Sequence, residues 1–119
     1  MMLKEVCSGL QTGTEDLPDA YRSIPVRTED SPHNVVAVKH PDTGLVYFQC
    51  IYSMLFGLSS AVMGFTRWSA FLEAVCRRIA RLMWGMYVDD GCLVDMLEAE
   101  VSGQQRACFI FQAVGTPTA

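Results

Sequence analysis

The spacing of apolar and polar positions changes period several times along the chain, and each change marks an element. Residues 1 to 15 are polar and rich in Gly and Thr, and Glu15-Asp16-Leu17-Pro18-Asp19-Ala20-Tyr21 then reads as a strand end turning sharply into a short helical turn. A turn-rich stretch over residues 28 to 34 precedes Val35-Val36-Ala37-Val38, and Pro41-Asp42-Thr43-Gly44 separates that run from Leu45-Val46-Tyr47-Phe48. Two β-branched and aromatic runs joined by a short loop ending in glycine predict a β-hairpin. From Ser60 the period becomes helical: Ala61, Phe65, Trp68, Leu72, Val75, Ile79 and Leu82 recur at steps of three and four, the core face of a long helix. Arg67, Phe71, Ala74, Arg78 and Arg81 follow a neighbouring stripe, readable as a solvated face or as one turned to phosphate or a partner. Met86 to Val94 is then a second hairpin signal, two β-prone runs flanking an Asp-Gly pair, with Asp89 and Asp90 riding on the turn. A last helix is predicted from about residue 96 to 114, ended by Gly115 and Pro117.

Strand, hairpin, long helix, hairpin and helix make an α+β layout, an antiparallel sheet backed by helices on one face. The 119 residues, half of them hydrophobic and 18% charged, fit one compact unit with a real core and exclude a disordered tail. So high an apolar share also fits a piece cut from something larger. The net charge of −4 has the wrong sign for gripping nucleic acid by bulk electrostatics, so any such binding must be local. Cys7, Cys50, Cys76, Cys92 and Cys108 are odd in number and far apart, with no C-x-x-C pair. They read as reduced, mostly buried thiols of an intracellular protein rather than as a zinc site. Residues 1 to 10 carry no apolar run of signal-peptide length, which predicts a protein that is not secreted. Leu45 to Thr66 lacks charge and is nominally long enough to span a bilayer. It also holds Gln49, Ser53, Ser59 and Ser60 with Gly57 and Gly64, and so reads instead as a strand, a turn and a helix start, with no membrane partner.

Asp16 at a strand exit and Asp89 and Asp90 on a hairpin turn would converge if their strands were neighbours. Hard divalent cations such as Mg²⁺ prefer oxygen ligands of this kind, and uncompensated carboxylates held together are costly. Asp-Asp-Gly is equally a good turn and aspartate a good helix cap, so the residues alone leave both readings open.

The three segments together resemble a known family. Asp16-Leu17-Pro18-Asp19-Ala20-Tyr21-Arg22-Ser23-Ile24-Pro25-Val26 is similar to the first catalytic motif of reverse transcriptases, and Tyr87-Val88-Asp89-Asp90 to their Tyr-x-Asp-Asp box. Between them, Ser53-Met54-Leu55-Phe56-Gly57-Leu58-Ser59-Ser60-Ala61, with Phe65 and Arg67, looks like the Met-Pro-Phe-Gly-Leu motif of retrotransposon polymerases. A lone Y-x-D-D recurs by chance, whereas the ordered triple is specific. The resemblance covers residues 16 to 95 of the 119, and it is closest to the polymerases of long-terminal-repeat retroelements.

The resemblance implies a polymerase palm of ferredoxin-like type, an RNA-directed DNA polymerase working by two-metal nucleotidyl transfer. Asp16 and Asp89 would be the principal ligands of two Mg²⁺ ions, or of Mn²⁺ in their stead, with Asp90 in support and Leu17 lending its carbonyl. The backbone from Leu17 through Asp19 and Ala20 would face the triphosphate, Tyr21 would gate against a 2′-hydroxyl, and Phe56 and Gly57 would touch nucleotide and template. The implied partners are an RNA or DNA template with its primer, deoxynucleoside triphosphates, and the fingers and thumb of a parent polyprotein. Most of the fingers, the thumb and any RNase H or integrase domain would lie outside this single palm segment of residues 1–119. Leu55 departs from the family pattern, standing where proline is usual, which would loosen the turn presenting Phe56 and Gly57. The alternative is a catalytically dead or domesticated fragment acting as a protein-interaction module.

Overall fold

The computed structural model describes residues 9–116, which form two compact units, residues 9–18 with 66–116 and residues 19–65.

The first unit is built on an antiparallel sheet of β1 (Leu10–Asp16), β5 (Asp90–Met96) and β4 (Met83–Tyr87), in that spatial order. Successive side chains of a strand point to opposite faces. Trp84, Gly91 and Leu93 are therefore buried on one face, while Met83, Gly85, Tyr87, Asp90 and Cys92 are exposed on the other. Helix α1 (Ser59–Arg78), from Thr66 onward, and helix α2 (Ser102–Ala113) cover the buried face. Phe111 of α2 meets Trp84 edge-on at 5.5 Å, the Glu73 carboxylate of α1 accepts the Met86 N–H at 3.4 Å, and Leu72, Cys76 and Ala107 are fully enclosed. The layout is α+β, and among the described residues of this unit no helix covers the sheet's other face.

Three element ends differ from the expectation. Helix α1 stops at Arg78: Ile79 is 75% exposed, Arg81 turns left-handed (φ 55°), and Leu82 reaches the core from the loop, its N–H on the Cys76 carbonyl at 3.0 Å. The turn of the second hairpin is Val88-Asp89, and Asp90 and Gly91 already belong to β5. The last helix starts at Ser102 rather than near residue 96, because pairing with β1 carries β5 through Met96 and a 3-10 turn (Leu97–Ala99) follows. Sheet pairing outweighs local helix preference there. Pro117 and Cys7 lie outside the described residues.

In the second unit, a 3-10 turn (Ala20–Ser23) follows Asp19, and Pro25 bridges to Ser53. The expected hairpin is β2 (Val35–Lys39) paired with β3 (Val46–Cys50), with Gly44 (φ 69°) closing its loop. Its base is held by a residue the sequence did not advertise. The buried Asn34 amide donates to the carbonyls of Ile51 and Ser53 at 2.6 and 2.8 Å, and the Ile51 N–H returns to the Asn34 carbonyl at 2.8 Å. Asn34→Ala would strand two carbonyls in a site with little water, and is expected to destabilise by about 2 kcal/mol in urea unfolding.

The uncharged run Leu45 to Thr66 is divided among β3, a turn and the start of α1, and among the described residues no helix is long and apolar enough to cross a membrane. The described cysteines are free, but the expectation that most are buried needs correcting: Cys50 and Cys92 are exposed, Cys108 is half-buried and only Cys76 is enclosed, where burial pushes its thiol up to about 11.

Candidate functional site

The sheet of the first unit ends in a row of directly opposed residues. Asp16 on β1 faces Asp90 on β5, and Asp90 faces Tyr87 on β4. Opposed residues of antiparallel strands project to the same side with Cα atoms about 4.5–5.5 Å apart, and all three are exposed on the face without helices. Like charges directly opposite each other destabilise a sheet. Asp16 and Asp90 occupy that unfavourable arrangement at the sheet's end, where a bound cation would relieve it.

Asp89 is fixed beside them through the backbone. Its carbonyl accepts the Leu17 N–H at 3.1 Å, so the hairpin turn is bolted to the exit of β1. The turn itself is strained: Val88 has φ 56°, in the left-handed region that a β-branched residue seldom enters. Such a conformation costs on the order of 1–3 kcal/mol and persists only where its surroundings impose it. Here the Ser69 hydroxyl of α1 donates to the Val88 carbonyl, and Glu73, ion-paired to Arg77 at 2.8 Å, takes the Met86 N–H. Val88→Gly would remove the strain, and a gain on the order of 1 kcal/mol is expected from denaturant unfolding. Behind the turn, Gly91 permits a close approach. A Cβ there would lie 2.1 Å from Cζ2 of Trp84, so the indole packs close against the β5 backbone directly behind the aspartate row.

Asp16, Leu17, Asp89 and Asp90 are thus gathered at one end of one sheet. Among the described residues, no three or more His, Cys, Asp or Glu side chains stand grouped as a ready metal cage. The donors at hand, carboxylate and carbonyl oxygens, are of the hard type that Mg²⁺ requires.

The remaining expected residues form a second cluster in the other unit. Tyr21 is half-buried, its ring edge-on to Phe56 at 4.9 Å and tilted against the enclosed Phe65 at 5.0 Å. Just before it, Asp19 (φ 62°) and Ala20 (φ 35°) are both left-handed, and Gly57 (φ 91°) follows Phe56. Backbone held in sparsely populated conformations is typical of ligand-binding loops. With Asp19 so placed, neither it nor Asp16 caps a helix: Asp19 makes no side-chain cap bond and Asp16 ends β1.

Ser69 and Glu73 escaped the sequence reading, and Val88 entered it only as the unspecified position of the Tyr-x-Asp-Asp box, without its strain. A faint signal existed for Ser69, a hydroxyl one residue after Trp68 on a helix whose neighbouring turns bury Phe65 and Leu72. None existed for Val88, which looks like an ordinary strand residue.

The chain matches no protein-family model, and a search of curated proteins likewise finds no match.

Proposed function

We propose that the chain is the palm of a template-directed DNA polymerase of reverse-transcriptase type. The observation that carries this reading is the register that sets Asp16 opposite Asp90, with the Asp89 turn tied to Leu17. It joins into one place the two segments whose sequences resemble the family's catalytic motifs. Asp16, Asp89 and Asp90 would hold two divalent cations, with the Leu17 carbonyl as a further oxygen donor. Ions held by these residues would supply activation of a primer 3′-hydroxyl and neutralisation of charge on a departing pyrophosphate. The protein's own part is positioning: the strained turn, held by Ser69, fixes the backbone that carries Asp89, which would lessen the reorganisation needed when substrate arrives. Tyr21, its ring against Phe56 and Phe65, would act as the steric gate against a 2′-hydroxyl. The bare sheet face beside the aspartates, with Cys92, Thr14 and Gly85 in the next row, offers a surface on which a primer end could rest. The fingers and thumb of a longer polyprotein, acting inside the cell, complete this reading.

Primer extension by the full-length protein, on RNA and on DNA templates, tests it. Incorporation that requires Mg²⁺ or Mn²⁺ and stops with a chelator is expected; no incorporation under any of these conditions would overturn it.

A second reading has its own observation. The β2–β3 ribbon exposes apolar side chains on both faces, Val38 with Tyr47 on one and Val46 with Phe48 on the other, the last 77% exposed, and exposed apolar surface marks interaction sites. In that reading the fragment is a non-catalytic interaction module, and Asp89→Asn has no effect on whatever it does.

A further inference from the structure

Strand β1 contributes almost nothing apolar to the core. On its helix-covered side stand Gln11, Gly13 and Glu15, all half-buried, while Leu10, its single hydrophobic residue, is exposed. It is also an outer strand of its sheet. Its placement therefore depends on ladder hydrogen bonds and on polar side-chain contacts, and the latter are concentrated at its two ends. At the start, the Gln11 amide donates to the Met96 carbonyl at 3.1 Å and also to the Glu100 carbonyl. At the finish, Oε1 of Glu15 accepts from Nε2 of Gln104 at 2.6 Å and from Sγ of Cys108 at 3.3 Å.

Gln104 and Cys108 are one turn apart on α2 and so present the same face. The Gln104 amide also reaches the Thr14 carbonyl at 3.4 Å, and a Cβ on residue 13 would stand 3.1 Å from its Oε1, so Gly13 leaves the room this contact needs. Burial, and then the hydrogen bond to Glu15, push the Cys108 thiol up, which keeps it a protonated donor. Neighbouring strand residues point to opposite faces, so the side chain gripped by α2 belongs to the residue immediately before Asp16.

We infer that Glu15 is a positioning residue: clamped to α2 by Gln104 and Cys108 on one face of the sheet, it holds Asp16 in place opposite Asp90 on the other. The consequence for metal binding rests on the polymerase reading, whereas the clamp does not. Two readouts keep them apart. The first is amide hydrogen exchange at Leu17, whose N–H bonds to the Asp89 carbonyl and so reports the register of the β1 end. The second is Mn²⁺ affinity by titration.

Glu15→Gln retains an oxygen acceptor, whereas Glu15→Ala retains none; both remove the charge. Glu15→Ala is expected to lose about tenfold in Leu17 protection and in Mn²⁺ affinity, the lower end for residues that orient metal ligands. Glu15→Gln should stay close to the parent protein in both, and Gln104→Ala should resemble Glu15→Ala. Exchange at the Leu72 amide in the core serves as the check that global stability is unchanged. If Leu17 protection is the same in all variants, or if Glu15→Gln and Glu15→Ala lose it equally, the clamp is overturned. If Leu17 protection follows the clamp but the parent protein binds no Mn²⁺, the clamp stands and the metal reading is what has failed.

Discussion

Asp89→Asn is expected to lower primer extension by the full-length protein about 10²–10³-fold, the usual cost of deleting one group that stabilises charge in a transition state. The substitution is nearly isosteric. It also leaves the backbone carbonyl that receives the Leu17 N–H, so the turn should persist. Loss of activity would then reflect the missing ligand rather than a disordered hairpin. Asp16→Asn and Asp90→Asn carry a second, opposite expectation. Because the two aspartates face each other across β1 and β5, neutralising either removes a like-charge pair, and the metal-free protein should become more stable by up to about 1 kcal/mol. A site that gains stability on losing its function is the pattern of residues kept for chemistry. If Asp89→Asn extends primers as well as the parent does, the acidic turn is only a turn.

The largest effect on stability is expected from Gly91→Ala. The added methyl would sit 2.1 Å from Cζ2 of Trp84 and 2.8 Å from Cη2, and these are atoms of a rigid ring rather than the end of a flexible chain. Trp84 is only 3% exposed and is held edge-on against Phe111, so displacing the ring disturbs that packing. Separating β5 from the ring instead would break ladder contacts to β1 and β4 together. Overpacking of this severity costs about 3 kcal/mol or more, and urea unfolding should show it. The double variant Gly91→Ala/Trp84→Leu should recover part of the loss, because a smaller residue at 84 removes the clash. Simple additivity of the two changes would contradict the close contact.

Local pattern was enough for much of the layout. The two hairpins announce themselves by β-branched and aromatic runs around turn residues, and α1 by its three-and-four spacing, because in each case neighbours in sequence are also neighbours in space. The ends of elements were harder to read. Ile79 continues the helical period but is exposed, since the left-handed Arg81 and the return of Leu82 to the core are decided by contacts beyond the helix. Met96 looked like the start of a helix and is instead the last rung of β5, a choice made by Leu10 across the sheet. The candidate site divides in the same way. Asp16, Asp89 and Asp90 were legible as residue types in a motif, but their register is a property of strand pairing between distant segments. Ser69, Gln104 and Cys108 act on that end of the sheet from helices, and nothing in their local sequence names the strand or turn each one touches.

The most direct test of the proposed metal site is paramagnetic broadening of backbone amide signals as Mn²⁺ is added to the protein. The expected result is that Asp16, Leu17, Asp89 and Asp90 broaden first and together, at sub-stoichiometric metal, and that Asp89→Asn weakens the effect. Broadening confined to other acidic stretches, such as Asp95 to Glu100, with the aspartate row untouched, would contradict it.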